Sequence, residues 1–310
     1  MANALIFPGQ GSQTVGMGKA LAAEFPAAKE VFDEVDDALE MKLSAVMWEG
    51  PEEALNLTTN AQPALMAHSI AAARVLEQET GLTVDQCKFA AGHSLGEYSA
   101  LCATGAIPLA DAARILRIRG EAMAAAAPDK TGAMVALLGA TLDQAEQAIA
   151  DSSGEGVLEI ANDNAPGQVV LSGHRSRVEA LAANARSFGI KMAKLLPVSG
   201  PFHSSLMASA AEIMSSKLAE ISFSAPSIPI VSNVTATSNA DPMQIKELLI
   251  AQITGRVRWT ESVSFMADQG VSRFIEIGTG KALAGMVKRI AKGASISCIG
   301  EPQDVAAFQV

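Results

Sequence analysis

Short apolar segments that stop at turn sequences alternate along this chain with longer segments of helical periodicity. The first apolar segment, Ala4 to Phe7, runs directly into a Pro-Gly pair, which predicts a buried strand that ends in a turn. Helical periodicity follows at 19–39 and at 61–79, and Thr59 or Asn60 is the expected N-cap of the second helix.

The pattern changes between residues 87 and 127. A short apolar run at 87–91 leads into Gly-His-Ser-Leu-Gly at 92–96, and helical periodicity resumes at 97–104 and 109–127. Glycines on both sides of a serine favour a tight turn. This part of the chain therefore predicts a strand, a sharp turn and a helix in succession.

A different order of elements is predicted between residues 132 and 198. The expected elements are strand 133–138, helix 142–150, strand 157–162, strand 168–171, helix 175–188 and strand 191–196. A loop at 163–167 joins the two middle strands, and Thr141 with Gln144 forms a capping-box pattern at the first helix. This βαββαβ order is that of the ferredoxin-like motif.

Alternation of helices and strands returns after residue 200. The expected elements are helix 205–220, strand 228–234, helices from Asp241 and from Thr260, strand 273–277, helix 281–291 and strand 295–299. Such alternation favours a mainly parallel sheet covered by helices. We therefore predict an α/β protein with a large domain of residues 1–128 and 199–310, and a small inserted ferredoxin-like βαββαβ domain of residues 129–198.

Composition and charge narrow the class of protein. The chain of 310 residues is 49% hydrophobic, 18% charged and 4% aromatic, which is typical of a folded enzyme and not of a disordered chain. A net charge of −10 argues against general binding to nucleic acid, which needs a basic face. A basic cluster does occur at Lys288, Arg289 and Lys292, although such charges commonly form the solvated face of a helix.

Cysteine usage and hydropathy bear on the compartment. The three cysteines, Cys87, Cys102 and Cys298, are widely spaced in apolar segments, so neither a disulfide framework nor a metal site is expected. The N-terminus lacks the basic segment of a signal peptide, and no apolar run approaches the roughly 18 residues of a membrane helix. We therefore expect a cytoplasmic protein that does not bind membranes.

Ser94 is the candidate nucleophile. The pattern Gly92-x-Ser94-x-Gly96 fits a nucleophile elbow, in which a strained turn between a strand and a helix projects the hydroxyl. The pattern alone is weak evidence, because Gly and Ser are common residues. Its position between a predicted strand and a predicted helix is the context that an elbow requires.

A serine hydroxyl needs a base at neutral pH, and the chain has four histidines. His68 lies within a helical pattern, and His174 has the position of a loop or cap residue. His93 adjoins Ser94, and neighbouring side chains on a tight turn point apart. His203 lies in a loop just before a helix, so elimination favours it as the base, with a structural role as the alternative.

Several motifs in one order carry a family resemblance. They are Phe7-Pro-Gly-Gln-Gly-Ser-Gln13, Gly92-His-Ser-Leu-Gly-Glu97, Arg119-Gly120, Asn164-Ala-Pro-Gly-Gln168, Gly200-Pro-Phe-His203 and Gln252. Over essentially its whole length the chain resembles the malonyl-CoA:acyl carrier protein transacylases of bacterial fatty acid synthesis and the acyltransferase domains of polyketide synthases. The resemblance implies an α/β-hydrolase-like large domain with a ferredoxin-like insert.

The resemblance also implies catalytic roles. Ser94 would carry the acyl group while His203 acts as general base and then as general acid, in a ping-pong transfer between two thioesters. Backbone N–H groups of Gln10 and Leu95 would hold the oxyanion. A carboxylate partner for His203 is not evident from any motif, and the family uses a main-chain carbonyl instead, which by position falls on Gln252.

Substrate-binding residues follow from the same resemblance. Arg119 would pair with the malonyl carboxylate, a task that suits a planar guanidinium, whereas its helical pattern alone would make it a surface residue. Phe202 resembles the malonyl-type signature, in which bulk near the acyl α-carbon disfavours a methyl branch; exposed packing is the alternative. Asn164 and His93 complete the expected substrate-binding set.

The implied partners are malonyl-CoA and an acyl carrier protein, with no metal or resident cofactor and with a monomeric chain. The basic cluster is a hypothetical contact for an acidic carrier protein. A serine hydrolase or thioesterase would share the serine, the histidine and the oxyanion donors, and a non-catalytic scaffold is a third reading. Arg119, the turn at Gln10 and the inserted domain favour the transacylase.

Overall fold

In the computed structural model, the described residues are 2–127, 131–198 and 200–309. The first range forms β1 (Ala2–Phe7), α1 (Lys19–Glu24), α2 (Pro26–Ala38), α3 (Leu43–Glu49), α4 (Glu52–Asn56), α5 (Thr58–Thr80), β2 (Phe89–Gly92), α6 (Gly96–Ala103) and α7 (Leu109–Ala125). The second forms β3 (Gly132–Leu138), α8 (Leu142–Asp151), β4 (Leu158–Ala165), β5 (Gln168–His174), α9 (Arg175–Ala183) and β6 (Met192–Leu195). The third forms α10 (Ala208–Glu220), β7 (Ile230–Val231), β8 (Ser238–Asn239), α11 (Pro242–Thr254), β9 (Val257–Arg258), α12 (Trp259–Asp268), β10 (Val271–Ile277), α13 (Ala282–Ile290), β11 (Ser295–Ile299) and α14 (Pro302–Ala307).

The larger sheet is built from both ends of the chain. Its strand order is β11-β10-β1-β2-β7-β8, and each neighbouring pair is parallel except β7 with β8. Phe7 at the end of β1 pairs with Gly92 at the end of β2, so the turns that follow these strands emerge side by side. The predicted mainly parallel sheet is confirmed.

Helices cover both faces of this sheet, as the continuous apolar sequence of β1 requires. Leu5 and Phe7 lie in one core with α2, α5 and α7. Ala4 and Ile6 point the other way, into a second core with α12 and α13. The two cores enclose the strands that carry the candidate nucleophile.

The smaller sheet has the strand order β6-β3-β5-β4-β9. Its first four strands are antiparallel neighbours, and the predicted βαββαβ order is confirmed. Alternate side chains of β3 and β5 have different surroundings: Val135 and Leu137 pack in a core with α8 and α9, whereas Met134, Ala136 and Val170 join the core of the larger part. At the edge of this sheet β9 pairs with β4 in parallel, which connects the sheet to residues 200–309.

The structure departs from the prediction at several places, one of which is the helix predicted at 19–39: extended backbone at Phe25 divides it into α1 and α2. The apolar run at 228–234 forms a strand only at Ile230–Val231, because the next residues are buried polar groups bonded to neighbouring loops. The second predicted helix begins earlier, at Thr58 after Leu57, and has no side-chain N-cap. The hairpin loop is shorter than 163–167, because β4 continues to Ala165 while it pairs with β9.

The predicted domain boundaries involve residues 128, 129 and 199, which lie outside the described residues, so the division of the chain at these points stays a prediction. Across 2–127, 131–198 and 200–309, no helix combines the length and the apolar character needed to cross a bilayer. Within the same ranges, no group of three or more His, Cys, Asp or Glu side chains is arranged to hold a metal ion.

Candidate active site

The ends of three neighbouring strands of the larger sheet converge on one place. Gln10 follows β1, Ser94 follows β2 and Asn233 follows β7. The backbone N–H of Ser94 donates to Asn233 Oδ1 at 2.7 Å, and Asn233 Nδ2 donates to the carbonyl of Gly92 at 2.7 Å. The carboxyl edge of a parallel sheet is where α/β proteins place their sites.

Ser94 sits on a strained turn. Its φ of 54° lies in the left-handed region, which a residue with a side chain rarely occupies. A Cβ atom on Gly92 would lie 1.9 Å from the carbonyl carbon of Gly96, and one on Gly96 would lie 2.3 Å from the carbonyl oxygen of Phe7. The flanking positions of the elbow pattern therefore have no room for a side chain.

His203 is the histidine that meets the serine. Its Nε2 lies 2.8 Å from Ser94 Oγ, and its Nδ1 lies 2.9 Å from the carbonyl oxygen of Gln252 and 3.2 Å from that of Gly255. Because carbonyl oxygens can only accept, Nδ1 carries the proton, and Nε2 is free to accept one from the serine hydroxyl. His203 also has a left-handed backbone, with φ 57°.

The electrostatic surroundings keep His203 neutral. Burial and the nearby charge of Arg119 lower its pKa to about 3, although the two carbonyl contacts act in the opposite direction. A neutral imidazole at physiological pH has the form that a general base requires.

None of the other three histidines is bonded to the Ser94 hydroxyl. His93 Nε2 bonds to Asn164 Oδ1 at 2.8 Å, so its ring turns away from Ser94 as the tight turn predicts. His68 is buried in α5, with Nε2 2.8 Å from the carbonyl oxygen of Gly300. His174 is the N-cap residue of α9.

Arg119 is buried, with 1% of its surface exposed, so the surface position that its helical pattern favours is wrong. Its Nη1 donates to Gln62 Oε1 at 2.7 Å, and its Nη2 donates to Gln252 Oε1 at 2.9 Å and to Ser94 Oγ at 3.2 Å. The Arg119 guanidinium also faces the ring of Tyr98, 5.6 Å from its centroid. All of these partners are uncharged groups.

Sequence reasoning missed Gln62, Asn233 and the function of the Gln252 side chain. The predicted contact through the main-chain carbonyl of Gln252 is present, but its amide also bonds to Arg119 and to Glu97. Burial raises the pKa of Glu97 to about 7, although hydrogen bonds from Asn233 and Gln252 act in the opposite direction. These residues are far apart in sequence, and no local pattern marks them.

The expected oxyanion donors lie on either side of the serine. Gln10 follows β1 in the turn next to the elbow, and Leu95 directly follows Ser94. Neither backbone N–H has a protein acceptor among the residues that the structure describes. Both amides are therefore available to an oxygen atom of a ligand.

A cavity of about 490 Å³ opens over these groups. It is lined by Ser94, His203 and Arg119 together with Gln10, His93, Asn164, Phe202, Met134, Val170, Leu283 and Met286, among others. Phe202 is 5% exposed, so the alternative of an exposed packing role is wrong. The volume falls within the range of about 300–1,000 Å³ that is usual for small-molecule sites.

The two sheets enclose the candidate site between them. The larger sheet supplies the serine turn, and the smaller sheet closes the cavity with Met134 and Val170. A hydroxyl, an imidazole and a buried cation face this cavity.

Comparison with known proteins gives the family. Residues 4–303 match the acyl transferase domain. The chain is 46% identical over 305 residues to the malonyl CoA-acyl carrier protein transacylase of Bacillus subtilis, covering 97% of this chain and 94% of that protein. It is 44% identical over 306 residues to the protein of the same name from Escherichia coli K12, covering 98% and 97%. The chain therefore belongs to the acyl transferase domain family.

Solved structures agree with this assignment. An acyl-carrier-protein-S-malonyltransferase from Bartonella henselae matches with a TM-score of 0.96 and 49% identity, over 99% of this chain and 98% of that one. A malonyl-transacylase in complex with a type II PKS acyl-carrier protein matches with a TM-score of 0.95 and 38% identity, again over 99% and 98%. The predicted α/β-hydrolase-like fold with a ferredoxin-like insert is confirmed.

The elbow geometry makes Gly92→Ala a sharp test. The added methyl group would overlap the backbone of Gly96, so we expect a loss of stability of roughly 1–3 kcal/mol or more in urea unfolding. We also expect at least a hundredfold slower acylation of Ser94, since a displacement of about 1 Å is that costly.

Gly285→Ala is the matched control, because a Cβ atom at Gly285 in α13 meets nothing within 4 Å. That variant should unfold at or above the wild-type urea midpoint. Wild-type unfolding and wild-type acylation in Gly92→Ala would contradict the strained elbow.

Proposed function

We propose that the protein transfers the malonyl group of malonyl-CoA to the phosphopantetheine thiol of an acyl carrier protein, through a malonyl ester on Ser94. The observation that carries the proposal is the position of one hydroxyl between a base and a cation. Ser94 Oγ lies 2.8 Å from His203 Nε2 and 3.2 Å from Arg119 Nη2. An acylated serine would hold a short dicarboxylic chain beside the guanidinium.

In the first half-reaction, His203 Nε2 takes the hydroxyl proton while Ser94 Oγ attacks the thioester carbonyl carbon. The negative charge on the carbonyl oxygen is stabilised by the backbone N–H groups of Gln10 and Leu95. Collapse of this intermediate breaks the carbon–sulfur bond, and His203 returns its proton to the departing CoA thiolate. The malonyl group remains as an ester on Ser94.

In the second half-reaction, the carrier thiol gives its proton to His203 and attacks the malonyl ester. The carbon–oxygen bond then breaks, and the proton passes to Ser94 Oγ. The enzyme returns to its starting state, and the malonyl group is a thioester again. Because both half-reactions use the same base, the Nδ1 contacts to Gln252 and Gly255 serve in each.

Arg119 gives the proposed preference for malonyl groups. Its planar fork suits a carboxylate, and its present partners are neutral. An acetyl group would leave the buried charge without an anion, which is unfavourable. Phe202, Asn164 and His93 complete the proposed acyl-binding surface, and Phe202 supplies bulk where a branched acyl group would extend.

A hydrolase or thioesterase is less well supported by the same site. Hydrolases of this kind orient the histidine with an Asp or Glu, whereas Nδ1 of His203 meets two main-chain oxygens. Thioesters have good leaving groups, so a neutral acceptor suffices for transfer. We further propose that the protein acts in the cytoplasm, with malonyl-CoA as substrate and without a resident cofactor; the monomeric state stays a prediction.

The adduct tests the proposal directly. After incubation of the protein with malonyl-CoA, and in parallel with acetyl-CoA, peptide mass spectrometry should find a malonyl group on Ser94 and much less acetyl group. Addition of carrier protein should then move the malonyl group to the carrier. Ser94→Ala should form no adduct.

Arg119→Leu serves as the specificity control, and its malonylation should fall at least tenfold while its acetylation is maintained or increased. Rapid release of free malonate without an adduct would favour the hydrolase. Full turnover by Ser94→Ala would exclude the proposed intermediate.

The low pKa of His203 gives a pH prediction. Because burial and Arg119 lower this pKa to about 3, the imidazole stays neutral as the pH falls through the ordinary histidine value of about 6.5. The rate of Ser94 acylation by malonyl-CoA, measured by rapid quench, should therefore show no acid limb from His203 between pH 5.5 and pH 8, a range of about 2.5 units.

Glu97 bonds to the Gln252 side chain at this site, and its own pKa, raised by burial to about 7, does fall in this range. The profile should therefore be measured in Glu97→Gln as well, where this carboxylate is absent. An acid limb between pH 6 and pH 7 that persists in that variant would contradict the assignment.

We propose that the basic cluster of Lys288, Arg289 and Lys292 contacts the carrier protein. All three residues are exposed, and the first two lie in the last turn of α13, the helix whose Met286 lines the cavity. The Arg289 guanidinium also donates to Gln168 Oε1 at the cavity rim. A positive surface beside the entrance would steer an acidic partner toward Ser94.

Reversal of the cluster to Glu should raise the KM for carrier protein several-fold at low salt, and the effect should shrink as salt is added. Reversal of Lys29, Arg114 and Lys217 is the matched control, because these exposed bases do not line the cavity. An unchanged KM for carrier protein in the cluster variant at low salt would rule out this docking surface.

A further inference from the structure

Glu97 is a buried carboxylate beside the reacting groups that the proposed mechanism does not use. It lies in the first turn of α6 and is 1% exposed. Its Oε2 accepts from Gln252 Nε2 at 2.7 Å and from the backbone N–H of Asn233 at 3.1 Å. One oxygen atom thus contacts two residues that hold the site together.

The side chain of Gln252 stands between this carboxylate and Arg119. Its Oε1 accepts from Arg119 Nη2 at 2.9 Å, and its Nε2 donates to Glu97 and also to the carbonyl of Ser94, at 3.1 Å. An amide has one accepting end and one donating end. The two acceptors at Nε2, of which Glu97 at 2.7 Å is nearer than the Ser94 carbonyl at 3.1 Å, therefore decide that the oxygen, and not the NH₂ group, faces the guanidinium.

If the side-chain amide of Gln252 were turned around, Arg119 Nη2 would lose its amide acceptor. An NH₂ group facing the guanidinium would set donor against donor, and Arg119 would lose one of its two amide acceptors. The other acceptor, Gln62 Oε1, holds only Nη1. Nη2, which lies 3.2 Å from Ser94 Oγ, would then be free to move from the cavity.

The same arrangement keeps Arg119 from a direct ion pair. Within the described ranges, Arg119 forms no ion pair with any carboxylate. Gln252 separates it from Glu97, so the guanidinium is held by neutral oxygens and keeps its charge for an incoming anion. Arg119 is thereby fixed in position without being neutralised.

We propose that Glu97 is a positioning residue: it fixes the amide of Gln252 so that Arg119 is presented to the carboxylate of the acyl group. The inference rests on the proposed malonyl transfer and adds a residue to its specificity. The requirement is an acceptor oxygen and not a negative charge. Burial raises the pKa of Glu97 to about 7, and in either protonation state one oxygen can still accept.

Two variants of Glu97 distinguish the effect of its acceptor oxygen from the effect of its size. Glu97→Met removes the acceptor with little change in size, and Glu97→Gln keeps one. The measurement is the ratio of Ser94 acylation rates with malonyl-CoA and with acetyl-CoA, which lacks the carboxylate. In Glu97→Met this ratio should fall roughly tenfold, the factor expected for a lost hydrogen bond to a charged group. In Glu97→Gln it should return to within about threefold of wild type.

Asp36→Leu is the matched control. Asp36 is a buried carboxylate that accepts from the backbone N–H and the hydroxyl of Ser44, away from the cavity. Its loss should reduce stability and leave the acylation ratio unchanged. In a Gln252→Leu background, Glu97→Met should cause no further fall in the ratio, because the group through which Glu97 acts is already gone.

Equal loss of both acylation rates in Glu97→Met, or an unchanged ratio, would overturn the proposal. A crystal structure of Glu97→Met provides a readout that does not depend on turnover. Arg119 Nη2 still bonded to Gln252 Oε1 in that structure would also overturn it. Failure of the proposed function would be recognised separately, because the wild-type protein would then take no malonyl group on Ser94.

Discussion

A positive charge enclosed by protein, with neutral oxygens as its hydrogen-bond acceptors, is the constraint on which this site depends. Burial of the guanidinium of Arg119 is costly unless its protons are satisfied, and Gln62, Gln252 and Ser94 supply acceptors to Nη1 and Nη2 without neutralising the charge, whereas Nε has no acceptor among the described residues. The same charge helps to keep His203 in its neutral form. One buried cation therefore acts on the imidazole through its charge and also offers the cavity a site for an anion.

Much of the fold and part of the site could be predicted because their signals are local. The apolar run of β1, the strand–turn–helix around Ser94 and the βαββαβ order each occupy a continuous stretch of sequence. His203 could be singled out because the chain has four histidines and the other three have plain structural contexts. Family motifs added Arg119 and Gln252, which periodicity alone would have left on a helix surface or unnoticed.

The remainder depends on contacts between distant parts of the chain. Asn233 lies within the run 228–234 that predicts a strand, yet the strand stops at Val231 because Asn233 bonds to Ser94, Gly92 and Glu97. The Gln252 side chain joins Arg119, which lies 133 positions earlier in the sequence. Pattern and propensity describe neighbours within a few residues, so they contain no information on such amide contacts.

Because side chains alternate along its strands, the smaller sheet has one face that packs against its own helices and one face that lines the cavity. Val135 and Leu137 stabilise the core with its own helices, while Met134, Ala136 and Val170 form part of the cavity wall. Replacement of a residue on the second face changes the shape of the cavity and leaves the first face intact. Adjacent residues of one strand can therefore vary under separate constraints, cavity shape on one face and the packing of α8 and α9 on the other.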